Sequence, residues 1–166
     1  VPVTLIISLV AVTGGMIIGL FVAIAKRSKY KILRAIATVY VDILRGTPLL
    51  VQVLILAYGV PQLLKSAFGL QFNWEHMIIV GFIACGINSS AYMAEIIRSG
   101  LQAIDKGQTE AARSLGLSSG QTMRYIIVPQ AFKIIVPALG NEFVTLIKET
   151  SILSVAGIVE ITRRGT

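Results

Sequence analysis

The stretch from Glu110 to Pro129, EAARSLGLSSGQTMRYIIVP, is polar, broken by glycine and set between two apolar segments. Asp105 followed three residues later by Gln108 predicts a capped helix start, Ala111 and Ala112 favour helix, and Gly116 offers the left-handed position that ends one. Ser118 with Gln121 predicts a second start. The local expectation is helix, tight glycine turn, helix, with Gly116 and Leu117 at the elbow and the second helix running into the apolar run Tyr125 to Val128. Such an elbow is shaped to push into a groove on another protein. An ordinary amphipathic hairpin carries the same local signals, so the stretch has to be read with its surroundings.

Those surroundings belong to a bilayer. The chain has 166 residues, 55% of them hydrophobic and 14% charged, outside the usual balance of a soluble domain. Its net charge of +7 comes from basic residues beside apolar spans, without an aromatic-basic platform, so orientation in a membrane accounts for it better than nucleic acid. Cys85 is the single cysteine, which excludes a disulfide framework or a cysteine-rich metal site within the chain.

Val1 to Ala25 contains no charge, is long enough to span a bilayer and lacks the basic n-region of a signal peptide. Gly14, Gly15 and Gly19 give it a small-residue face, for packing inside this subunit or for the approach of another helix. Lys26, Arg27, Lys29, Lys31 and Arg34 follow with no acidic residue among them, which predicts a cytoplasmic loop and an amino-terminal end outside. A second helix is predicted from about Ile32 towards Val60, kinked at Gly46-Thr47-Pro48. It carries Asp42 and Arg45. A charge near the bilayer centre costs roughly 2.5 to 3.5 kcal/mol, so these two are expected to pair or to lie near the cytoplasmic interface. Pro61 to Glu75 reads as an outer connection with Trp74 as an interfacial anchor.

Met77 to Ala94 is a third span, with Asn88, Tyr92 and Glu95 on one helical face. Ile126 to Ile147 is a weaker fourth, broken by Lys133, Asn141 and Glu142 and bent by Pro129 and Pro137; a helix lying flat on the bilayer is the competing reading. Its polar groups converge around Thr145, which shares one face with Glu142 and Glu149 and an adjoining one with Asn141 and Lys148. Ser151 to Ile161 reads as a short apolar helix or re-entrant element.

Intramembrane polar residues are the default place to look for a transport path. Asn88, Ser89, Tyr92, Asn141, Glu142, Thr145 and Lys148 are the candidates. An ammonium group would have Glu142 or the Tyr92 hydroxyl to meet, and a carboxylate would have Lys148, Asn88 or Ser89. The chain has no Gly-x-x-x-x-Gly-Lys-Ser/Thr phosphate loop.

The spacing Glu110, Ala111, Ala112, Gly116, Ile126, Val128, Pro129 resembles the coupling-loop signature of ABC importer permeases, with Val128 where the family usually has leucine. Arg45-Gly46-Thr47-Pro48-Leu49-Leu50, Asn88-Ser89-Ser90-Ala91-Tyr92, Pro129-Gln130-Ala131 and Gly140-Asn141-Glu142-Phe143 through Lys148-Glu149-Thr150-Ser151 are similar to the branch that takes up histidine, glutamine and arginine. The resemblance covers nearly the whole chain. It implies an all-α membrane protein with the type I importer fold, about five membrane helices in the full subunit and four here, with residues preceding Val1 and a last helix following. It makes Ile126 to Ile147 a membrane helix and the coupling loop about residues 99–125 of a single permease domain.

It further implies that Glu110, Ala111, Ala112, Gly116 and Leu117 meet an ATPase. Two permeases, identical or homologous, would pack around the path in a prokaryotic inner membrane. Two ATPase subunits holding ATP and Mg would dock from the cytoplasm. An extracytoplasmic binding protein, or a fused domain, would deliver the amino acid. No cofactor is expected in this chain. The Gly-Asn-Glu-Phe pattern also occurs in permeases of uncharged polar amino acids, so Glu142 does not settle the substrate.

Two readings from other classes compete. A passive channel or ion-coupled carrier would use Asp42, Glu95 and Glu142 as a relay, but has no need of a protruding elbow. An intramembrane hydrolase using Ser89 or Ser90 with His76 needs a base within reach of its nucleophile, and helical spacing puts them roughly 18 Å or more apart.

Overall fold

The computed structural model describes residues 2–150 and residue 153, with side chains from residue 5 onward. Among these residues only helices and their connections occur. The helices are α1 (Pro2–Lys26), α2 (Lys31–Gly46), α3 (Leu49–Phe68), α4 (Met77–Gln102), α5 (Lys106–Ser114) and α6 (Ser119–Glu149). Four of them, α1, α3, α4 and α6, are long and apolar enough to cross a membrane. The segment expected over Ser151 to Ile161 lies, apart from Leu153, outside the described residues.

Helix α4 is the axle of the bundle. It packs against α1, α2, α3 and α6, and 56% of its most apolar window is buried against 11% for α6. One core gathers Ile7, Ala11, Val53, Ala57, Val80, Ala84, Cys85 and Leu146; a smaller one gathers Ala23, Val41, Ala91 and Ala94. Small residues let α1 and α4 lie close together. A Cβ on Gly15 would come 2.9 Å from Ser89 Oγ, and one on Gly19 would come 2.7 Å from Met93 Cβ. These glycines are therefore used for packing within the subunit, while Gly14 faces open space. Two apolar helices gain little from hydrophobicity against lipid, so close backbone approach has to supply the attraction.

The expected second helix is two. The chain leaves helical geometry at Thr47 (φ −113°, ψ 135°) and resumes after Pro48. A residue before proline is driven out of the α region by the ring, so Thr47-Pro48 breaks the helix where a kink was expected. Gln52 seals the break: its Nε2 donates to the carbonyls of Leu44 (2.8 Å) and Thr47 (3.1 Å) and to Thr47 Oγ1 (2.8 Å). Helix α2 is thereby held to α3, and the two form one interrupted traverse.

The Pro61 to Glu75 connection is also shorter than expected, because α3 continues to Phe68 and stops at Gly69 in the left-handed conformation (φ 67°). Trp74 is half-buried against the larger core and donates its indole N–H to Leu56 O at 2.7 Å. It is tied to the bundle through its polar edge.

Two of the four long helices contain a π-turn, Ile55–Gly59 in α3 and Met123–Ile127 in α6. Each lies just before a proline, Pro61 and Pro129. A proline ring collides with the carbonyl four residues back and offers no N–H. Those carbonyls belong to Ala57 and Tyr125, inside the widened turns. The helix absorbs the proline by widening. Helix α6 runs on through Pro137.

Candidate functional site

The elbow is built as the sequence predicts. Asp105 Oδ1 accepts from Gly107 N at 2.7 Å and caps α5. The capping box expected with Gln108 does not form; the Gln108 amide oxygen accepts instead from Gln130 Nε2 on α6 (3.2 Å), which ties α5 to the helix that follows. At the other end Gly116 has φ 85°. Its N–H reaches Arg113 O (3.0 Å) while Leu117 N–H reaches Ala112 O (3.1 Å). These are the paired bonds of a Schellman stop. Arg113 Nη1 adds a bond to Leu117 O at 2.7 Å. Ser118 then forms a complete capping box with Gln121, at 3.3 Å and 2.8 Å.

The elbow is therefore rigid although it is short and polar. Of the predicted coupling residues, Glu110, Ala111 and Gly116 are exposed, Leu117 is half-buried, and Ala112 is buried in a helix that packs on the π-turn of α6. Between them Leu115, 81% exposed, is an apolar side chain with no internal partner in the core. Sequence reading had named its neighbours and passed over it, although a leucine in a polar turn is itself a signal of an absent surface.

The elbow and the basic loop lie at one end of the bundle. Lys26, the last residue of α1, forms an ion pair with Glu95 at 3.3 Å, near the end of α4 that leads into the elbow. Arg98 closes on the same carboxylate and on Gln102. One carboxylate is thus shared by Lys26 and Arg98, and the contacts of Gly15 with Ser89 and Gly19 with Met93 show that α1 and α4 run parallel.

The seven candidate path residues do not form one cluster. Asn88 is buried and donates to Gln52 Oε1 at 3.2 Å, extending the seal between α2 and α3 to α4. Ser89 is fully buried at the α1 contact beside Gly15, and its hydroxyl has no hydrogen-bond partner among the described residues. Tyr92 is half-buried and carries the Arg45 guanidinium over its ring, 5.3 Å from the centroid. On α6, Asn141, Thr145 and Lys148 are exposed and Glu142 is half-buried. Thr145 Oγ1 turns back to Asn141 O (3.0 Å). The Arg45 guanidinium lies within electrostatic reach of the Glu142 carboxylate.

Tyr92 and Glu142 are thus linked through Arg45, while Asn88 and Ser89 sit at helix-helix contacts. The expected pairing of Asp42 with Arg45 is not made among the described residues; Arg45 turns to Tyr92. Gln52 is the polar residue of this region that the sequence analysis does not single out. Gln52 was detectable as the lone amide in the apolar run Leu49 to Leu56.

Among the described residues no cluster of three histidine, cysteine or acidic side chains is placed to hold a metal. Ser89 has no base, and Ser90 Oγ is engaged by Tyr40 (2.6 Å) and Ile87 O (2.7 Å).

Four helices of membrane length, with a capped elbow at the basic end, define a membrane-integral helical bundle. Residues 15–164 match the family described as binding-protein-dependent transport system inner membrane component, and the chain belongs to it. It is 42% identical over 162 residues to the arginine transport system permease protein ArtQ of Bacillus subtilis (strain 168), covering 98% of this chain and 71% of that protein. It is 43% identical over 162 residues, with the same coverage, to a Rickettsia prowazekii (strain Madrid E) relative whose name connects it with a glutamine transport system permease. A crystal structure of an amino acid ABC transporter with histidines superposes with a TM-score of 0.87 at 48% identity, covering 97% of this chain and 72% of that one. The inward-facing MetNI methionine ABC transporter, at a TM-score of 0.62 and 22% identity over 90% of this chain and 69% of that one, shares the fold.

Proposed function

We infer that this chain is the permease subunit of an ABC importer of amino acids, forming the translocation path and coupling it to ATP hydrolysis by alternating access. The observation that carries the reading is the Schellman-closed elbow with Leu115 exposed, in a chain of the binding-protein-dependent transport family. The chain contains no phosphate-loop sequence. ATP and Mg therefore belong to ATPase partners, and this chain is not itself an enzyme. Two ATPase subunits dock on the elbows of two permeases, identical or homologous. Glu110, Ala111, Ala112, Gly116 and Leu117 form the contact, around Leu115. An extracytoplasmic binding protein or fused domain delivers the substrate. The assembly sits in a prokaryotic inner membrane with the elbow and basic loop in the cytoplasm and the start of α1 outside, as the basic residues from Lys26 to Arg34 favour.

Tyr92, Asn141, Glu142, Thr145 and Lys148 line the path, while Asn88 and Ser89 shape its wall from behind. Glu142 takes the amino acid's ammonium and Lys148 its carboxylate. A passive channel is the weaker reading, since the elbow would then have no work. The test is uptake by the complete transporter in liposomes, with ATP inside and a panel of basic, neutral and acidic amino acids outside, each with the binding protein. ATP-dependent accumulation is expected; downhill flux without ATP overturns the reading.

A further inference from the structure

At the basic end of the bundle, α1, α2, α4 and α6 enclose an open groove of about 1020 Å³, at the top of the roughly 300–1,000 Å³ range of small-ligand sites. Its walls are apolar: Phe21, Ile24, Leu33, Ile36, Leu101 and Val128 contribute side chains, and Arg27 and Ser28 stand at its mouth. Phe21 is 67% and Ile36 62% exposed. Arg27 opens into a strongly positive loop beside the groove. Lys26 is paired with Glu95, which it shares with Arg98, but Arg27, Lys29, Lys31 and Arg34 form no ion pair among the described residues, Lys29 lying over the Tyr30 ring, and no acidic residue lies between Lys26 and Arg34.

We propose that this groove binds a phospholipid with a negatively charged headgroup, an acyl chain lying along α1 and α2 and the phosphate meeting Arg27 and Lys29. An apolar trough ending in uncompensated cations matches an anionic lipid at both ends. A soluble ligand would gain nothing from the acyl-sized wall, and a neutral lipid nothing from the cations. Basic residues at the cytoplasmic membrane surface attract anionic lipid, and pockets between membrane helices on that side hold such headgroups. The wall includes Met123 and Val128, at and just after the π-turn of α6, so the lipid touches the segment on which the elbow is mounted. The site depends on the chain's place in a membrane and not on what it transports. Binding is therefore the readout, and a failure of amino-acid uptake would leave it standing.

The experiment is native mass spectrometry of the delipidated complete transporter, offered phosphatidylglycerol or phosphatidylcholine with the same acyl chains. Wild type should retain phosphatidylglycerol at least fivefold better, since each basic residue near the surface contributes a factor of about five. Arg27→Gln with Lys29→Gln should cut the ratio at least fivefold, Lys31 and Arg34 remaining, and Ile36→Trp, which fills the groove from an exposed position, should lower retention of both lipids. Equal retention by wild type would overturn the proposal. So would a preference that survives both changes undiminished, the result expected if a further helix or a second permease covers the groove. If Ile36→Trp fails to assemble, a bimane label at Ile36→Cys in a Cys85→Ala background makes the same decision. Brominated phosphatidylglycerol must then quench it more strongly than brominated phosphatidylcholine, and equal quenching or none refutes the site.

Discussion

Gly116 occupies a backbone conformation, φ 85°, that a β-branched residue adopts only with strain. Gly116→Val should cost the elbow about 1–2 kcal/mol and misplace Leu115 and Leu117. The expected outcome, in membranes where the subunit is present, is loss of binding-protein-stimulated ATP hydrolysis together with uptake; unchanged rates of both would remove Gly116 from coupling. Glu142 is a carboxyl kept on a membrane helix, where hydroxyls would satisfy a purely structural need more cheaply. Glu142→Gln should alter the profile across basic, neutral and acidic amino acids while gel filtration in detergent shows intact assembly. An ion pair serving structure alone predicts the reverse, poor assembly with unaltered selectivity in whatever survives. Gly19 and Gly14 offer an internal control. Gly19→Ala meets Met93 and Ser90 and should lower the melting temperature of the solubilised subunit, whereas Gly14→Ala meets nothing and should leave it unchanged or raised.

At the scale of elements, what was legible in the sequence was what is settled locally. Ser118 with Gln121, and Gly116 after Ala112, fix their bonds within a few residues, so the elbow was readable in its sequence. Gln108 was misread because its partner, Gln130, arrives only when α6 folds back. The break at Thr47-Pro48 was visible as a perturbation, but whether it kinks or severs a helix depends on Gln52 satisfying the freed carbonyls. Arg45 was assigned to Asp42 on its own helix because Tyr92 comes from α4. Gln52→Leu should expose that dependence. It leaves two carbonyls and the Asn88 amide short of a partner, at roughly 1–3 kcal/mol for each buried group, and the melting temperature should fall well below that of a Val51→Leu control.

For the whole molecule, α1 and α4 pack in parallel, and the ion pair of Lys26 with Glu95 joins them at the end that carries the basic loop and the elbow. In a Cys85→Ala background, cysteines at Ser28 and Ser118 should both be protected from a membrane-impermeant maleimide added to intact cells and both react after lysis; labelling of one alone from outside would contradict the topology. The central claim is that the elbow is where force from ATP enters the membrane. It is tested most directly by placing a photo-crosslinking residue at Leu115 in the assembled transporter and identifying what it captures. The account predicts a covalent adduct with the co-purified ATPase whose yield changes when ATP is added. Intact co-purification with no ATPase adduct from position 115, or from Glu110 in the same experiment, would contradict it.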